Sequence, residues 1–200
     1  MWARGAAGKV WLHHALASLN KSLDGHLRFF VGSAQQVLAQ LCDEVDVATI
    51  VWNRSYEPWR VKRDTRIKKG FIEQGIDVQT YSAQLLWEPW VSAKANGEPY
   101  KVFTPFYRNA LSVLPPPSRP QAAPCLQRAG CFSGDLSFDV MLNDLNLLPE
   151  KQWPIDVMAH WQVDREAATE TVAKRMLADF IGSRSNHYAE RRDVPSGDVC

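Results

Sequence analysis

Apolar residues recur at three- and four-residue spacing from Val10 to Leu23, with Leu12, Leu16, Leu19 and Leu23 on one side and His13, Asn20 and Lys21 on others. That is the angular repeat of an α-helix, so an amphipathic helix is predicted there. Asp24-Gly25 ends it, and Leu27 to Val31 reads as a short buried strand stopping at Gly32-Ser33. Val37, Leu38, Leu41 and Val45 mark a second helix. Val47 to Trp52 is a continuous apolar run rich in β-branched residues, the pattern of a parallel strand covered on both faces. A third helix, dense in Arg and Lys, is predicted from Glu57 to Gln74; Gly75 closes it, and Asp77 to Tyr81 forms the next strand. This alternation predicts an α/β fold, a Rossmann-like doubly wound sheet with the strands at Leu27, Val47 and Asp77 parallel.

Past Tyr81 the pattern loosens through Leu85-Leu86-Trp87-Glu88-Pro89-Trp90 and a polar turn around Asn96-Gly97. Pro105 suits the first turn of a helix capped by Thr104. Leu114 to Pro124 is dense in proline and reads as a linker. Phe138 to Pro154 is weakly patterned, whereas Arg165 to Ile181 sets Val172, Met176, Leu177, Phe180 and Ile181 on one side of a helix. The expected organisation is an α/β domain over residues 1–112, a linker over 113–134 and a helical region over 135–200.

Composition narrows the class of protein. A chain of 200 residues that is 46% hydrophobic can bury one good core or the start of a second. With 23 Lys and Arg against 22 Asp and Glu, the net charge of +1 draws the whole molecule toward neither nucleic acid nor membrane, so any basic patch must be local. The four cysteines show no zinc spacing and no disulfide framework, no apolar run spans a bilayer, and the N-terminus lacks a secretory apolar core. A cytoplasmic protein is expected, with neither metal nor membrane as partner.

No glycine-rich phosphate loop, nucleophile elbow or zinc-protease helix is present. His13-His14 lacks the further converging ligands of a metal site and reads as a satisfied or exposed pair. The segment Asn53 to Arg60 follows the most apolar strand, where ligands collect in open α/β sheets, although Glu57-Pro58 equally suits a plain helix start. Arg60, Lys62, Arg63, Arg66, Lys68 and Lys69 read as a solvated helix face before they read as a phosphate surface. Arg184, Arg191 and Arg192 beside Tyr188 are better placed for phosphates or a flavin ring.

Several of these segments together resemble one family. Val51-Trp52-Asn53-Arg54-Ser55-Tyr56-Glu57-Pro58 with Arg63-Asp64, and more specifically Gly97-Glu98-Pro99-Tyr100-Lys101-Val102-Phe103-Thr104-Pro105-Phe106, are similar to segments of the DNA photolyase/cryptochrome N-terminal domain. Trp11 to Leu16 resembles a helix motif of the same domain. Trp161 to Ala167 resembles the motif that opens its flavin domain, with Val163-Asp164 in place of Pro-Gly, and Tyr188 to Pro195 resembles a later motif of that domain.

The resemblance implies light-driven, FAD-dependent repair of cyclobutane pyrimidine dimers in UV-damaged DNA, by a carbon-carbon lyase that flips the lesion out of the duplex. It places Tyr188 at the flavin and Arg192 on the DNA side, and implies no catalytic residue in this chain. It also implies an antenna chromophore in the α/β domain; Trp59-Arg60 stands where folate-binding members carry Asn-Glu, which leaves that antenna unassigned. The family's domain opens with a strand, helix and strand ahead of the Trp11 helix, so the chain is expected to be a fragment, poorly stable and inactive alone. The alternatives are a cryptochrome-like blue-light sensor, or a non-enzymatic module of a split flavoprotein whose second chain supplies strands. A generic nucleotide-binding α/β domain explains the alternation but not Tyr188 to Pro195.

Overall fold

The computed structural model describes residues 4–116, 119, 134–151, 153–160 and 169–194. The expected linker core, the Trp161 to Ala167 motif and Pro195 lie outside them. The chain folds into two compact units, Ser33–Pro124, and Met1–Gly32 together with Cys125–Cys200.

The Ser33–Pro124 unit is built on α2 (Ala34–Glu44), β1 (Thr49–Asn53), α3 (Pro58–Glu73), β2 (Asp77–Tyr81) and α4 (Phe103–Val113), the other unit beginning with α1 (Ala6–Ser22). Ser33 starts α2 by accepting the Gln36 N–H on its hydroxyl at 3.3 Å, relieving one of the donors that a helix start leaves unpaired. Pro58 occupies the first turn of α3, where a missing N–H costs nothing. That helix closes at Gly75, whose φ of 83° any side chain would strain, with Gly75 N–H on Ile72 O and Ile76 N–H on Phe71 O. The closure turns the chain straight into β2 and seats Ile76 against Phe71's neighbourhood.

β1 and β2 pair in parallel, Thr49 opposite Asp77 through Asn53 opposite Tyr81. Period-two alternation sends Ile50, Trp52 and Val78 to one face, where Leu38 and Cys42 of α2 and Ile67 and Phe71 of α3 cover them. Ile67, Phe71 and Val78 are 4%, 3% and 5% exposed and form the core of the unit. The opposite face carries the exposed Val51 and Tyr81, with a chain of hydrogen bonds from Tyr81 to Gln79 to Asp77. Cover on both faces of Val47 to Trp52, expected from its apolar run, is therefore corrected to cover on one. The β-branched content that suggested a two-sided strand serves here to fill one side and to keep the strand extended.

The α4 start also differs from expectation. Its cap is Val102, with Thr104 already inside the helix and Pro105 still in the first turn. The constraint that proline imposes is met at any first-turn position, because none of those N–H groups has an intrahelical acceptor.

In the other unit, α1 buries Val10. Leu27 to Val31 is not the third parallel strand that was expected. Phe29 makes one antiparallel bridge to Val140, whose N–H reaches Phe29 O at 2.9 Å. Phe30 packs on Phe138 with ring centres 4.9 Å apart, and Arg28 holds Asp139 at 2.7 Å and the Gly134 carbonyl at 3.0 Å. An extended backbone must satisfy its polar groups, and here the 134–140 segment supplies the partners. The unit continues with α5 (Trp153–His160), α6 (Glu170–Asp179), a π-helical turn Phe180–Arg184, a 3-10 turn Ser185–His187 and α7 (Tyr188–Arg191). Thr169 caps α6 on the Val172 N–H. Among the described residues no helix is long and apolar enough to cross a membrane.

Candidate functional site

β1 ends at Asn53, and the next residue turns its side chain back over the sheet ends. The Arg54 N–H bonds Tyr81 O at 2.9 Å, extending the ladder by one step and fixing where the guanidinium starts. That guanidinium donates through Nη1 to the Thr80 carbonyl at 2.7 Å and to Thr80 Oγ1 at 3.2 Å, and through Nε to Glu88 Oε1 at 2.9 Å. Nη2 also binds Glu88 Oε1, and Tyr56 donates its hydroxyl to Glu88 Oε2 at 2.8 Å. Trp90 lies against the guanidinium, 5.6 Å from its ring centre. One carboxylate thus ties together the strand end, the start of α3 and the 82–102 loop.

Glu88 is 13% exposed and Arg54 32%. Burial pushes the Glu88 carboxyl up, but the Tyr56 and Arg54 hydrogen bonds and the Arg54 charge together outweigh it and hold its pKa below the ordinary value. The bond to Glu88 in turn raises Arg54 above its already high value. A depressed carboxylate stabilises the fold above its unfolded pKa of about 4.3, and that contribution is lost as pH falls through the lower, folded pKa. The melting midpoint of the Ser33–Pro124 unit is therefore expected to drop as pH goes below about 4.3. In Glu88→Gln the drop should be shallower, as read by thermal melts across that window; equal slopes would show that Glu88 makes no such contribution.

Beside this network lies a cleft of about 190 Å³ at the carboxyl end of β1, walled by Trp52, Tyr56, Asp64, Lys68, Thr80 and Trp90. Two indole walls, a fixed cation and a lysine can stack a flat ring and bind a polar or anionic substituent. The segment Asn53 to Arg60 therefore has two roles: Glu57-Pro58 starts α3, and Arg54 and Tyr56 line a cleft. Glu88, Thr80 and Trp90 were not anticipated; the available signal was a single carboxylate inside the apolar run Leu85 to Trp90.

Tyr188 and Arg192 both lie in the other unit, one helical turn apart. Tyr188 opens α7, 40% exposed, its ring edge-on to Phe180 at 5.8 Å; Arg192 caps the same helix, its N–H on Tyr188 O at 2.9 Å and its side chain exposed beside Asp193. His13 and His14 meet edge-to-face at 5.5 Å, and no three His, Cys, Asp or Glu side chains converge among the described residues.

The chain is 35% identical to the deoxyribodipyrimidine photo-lyase of Agrobacterium fabrum over 196 residues, covering 96% of this chain and 39% of that one. Its fold matches the crystal structure of a bacterial class III photolyase from Agrobacterium tumefaciens with a TM-score of 0.75 and 32% identity, over 98% of this chain and 40% of the other. Cryptochrome-2 of Arabidopsis thaliana is 34% identical over 125 residues, 58% of this chain and 20% of that protein. The chain thus spans about two fifths of the length of the photolyases it matches. A match to the DNA photolyase family covers residues 1–125, more than half of the sequence, and with these relatives it shows that the chain belongs to the DNA photolyase family.

Proposed function

We propose that this chain is part of a light-driven, FAD-dependent enzyme that repairs cyclobutane pyrimidine dimers in DNA. The observation that carries the reading is the match to a deoxyribodipyrimidine photo-lyase along 96% of the chain, whereas matches to two Arabidopsis cryptochromes cover 58% and 66%. Residues 1–112 form the antenna domain in this reading, with the second chromophore in the cleft beside Arg54, and residues 135–200 open the flavin domain. Bound FAD would supply the light-driven electron transfer that splits the dimer. Tyr188 contributes an exposed ring to the flavin site, and Arg192, one turn further, meets the DNA. An exposed ring suits a flavin edge and an exposed guanidinium a phosphate, which is the support these residues give.

The test is a chimera in which these 200 residues replace the matching segment of the Agrobacterium photolyase. It should bind flavin, seen as yellow absorbance, and remove thymine dimers from an oligonucleotide in light but not in darkness. Tyr188→Ala should weaken flavin retention and Arg192→Ala the affinity for damaged DNA, each by about tenfold, the size of one lost charge-assisted or stacking contact. A chimera that folds and holds flavin yet leaves dimers intact under light would move the assignment to a cryptochrome-like sensor.

A further inference from the structure

We propose that the outer face of α3 bearing Lys62, Arg66 and Lys69 is a docking surface for the phosphate backbone of duplex DNA. The choice of DNA rests on the repair reading above; the charge geometry does not. α3 carries Arg60, Lys62, Arg63, Arg66, Lys68 and Lys69 against only Asp64 and Glu73. The acids are already used unevenly. Arg60 pairs with Glu57 and Arg63 with Asp64, and both guanidiniums lie near Trp59, so these two cations are committed. Lys62 and Arg66 make no ion pair or hydrogen bond among the described residues, and Lys69, 77% exposed, reaches Glu73 only at 3.8 Å.

Positions 62, 66 and 69 are spaced four and three residues apart and so share one face. At 1.5 Å of rise per residue they extend about 10 Å along the helix. Successive phosphates on one DNA strand advance about 3.4 Å along the duplex, so the row spans roughly three of them. Like charges on adjacent helical turns repel, and a polyanion laid along them removes that cost. Thr65 lies between them and Gln35 of α2 faces them across a shallow open cleft. Apart from Glu73 at one end, the polar groups there can all donate to phosphate oxygens, the mode by which proteins track a DNA backbone without reading its sequence. A membrane surface would call for a broad apolar face beside the cations, and the cleft offers only Val61.

The experiment is binding of the full chain, in the dark and without flavin, to undamaged duplex DNA across a salt series. Three phosphate contacts imply a slope of about −2.7 in log affinity against log salt, hence a roughly 40-fold loss between 50 and 200 mM. The combined variant Lys62→Gln, Arg66→Gln, Lys69→Gln should flatten the slope by about that amount. Acetylation of the unaltered chain provides a second reading that needs no variant: Lys62 and Lys69 should be protected by DNA while the exposed Lys101 is not. No binding at low salt, an unchanged slope in the variant, or unprotected lysines overturns the proposal, and preferential binding to phosphatidylserine vesicles overturns its choice of partner. None of these readouts involves flavin or light, so the surface can fail while the repair reading stands, and the reverse.

Discussion

Phe71→Ala should cost the Ser33–Pro124 unit about 3–5 kcal/mol, enough to leave it unfolded or barely folded at room temperature. Phe71 is 3% exposed and packs in the only cluster of buried side chains described for that unit, with Ile67 and Val78. Removing the ring opens a cavity at the seam where α2 and α3 meet the two strands, and a two-stranded sheet has little else to hold it. The damage should spread to the helix end, since Ile76, just past α3, packs against the same cluster. Ile72 is the control. It is the next residue, it is 50% exposed, and its change to alanine should stay within about 0.5 kcal/mol. Urea unfolding followed by tryptophan fluorescence measures both, and equal effects would mean that the cluster is not the core.

The second large effect is expected from Glu88→Ala, which removes the acceptor shared by Arg54 and Tyr56. Arg54 keeps Thr80 but loses its ion pair with Glu88, and the loop that carries Trp90 loses its tie to the strand end. The loss is expected at about 1–2 kcal/mol, toward the lower figure because Arg54 is about a third exposed and partly screened by water. Trypsin should then cut the loop at Lys94 or Lys101 faster than in the parent chain. A cycle with Tyr56→Phe separates the hydroxyl's share: the two changes should be non-additive by about half a kcal/mol or more, because both act on one carboxylate. Full additivity would mean that the network does not act as a unit.

The helix at Pro58–Glu73 and the strand at Asp77–Tyr81 were legible within a residue or so. Each is specified by neighbours in sequence: proline and a carboxylate at the start, apolar residues at helical spacing, and a glycine where the backbone turns left-handed. The parallel pairing of β1 and β2 followed as well, because a helix between two strands of one sheet leaves room for little else. The cleft was half legible. Arg54 and Tyr56 were marked by their place after an apolar strand, but Glu88 lies 34 residues from Arg54 and carries no periodic signal. Tyr188 and Arg192 were marked by resemblance, and the fold adds that one helical turn links them.

Local pattern along the chain therefore specifies most elements of the Ser33–Pro124 unit, their order, and the family to which the motifs belong. Which surfaces those elements cover, and whom their polar groups meet, comes from the folded arrangement alone. Val51 is apolar and β-branched like its neighbours, yet it faces outward because α2 and α3 both lie on the Ile50 and Trp52 side. Phe29 sits in an extended segment that reads like a sheet strand, yet it pairs antiparallel with Val140, and its neighbour Arg28 with Asp139, 111 residues away. The reason is physical: backbone periodicity is set by steric and hydrogen-bonding rules acting over a few residues, whereas burial and ion pairing depend on which distant segments the fold brings within reach.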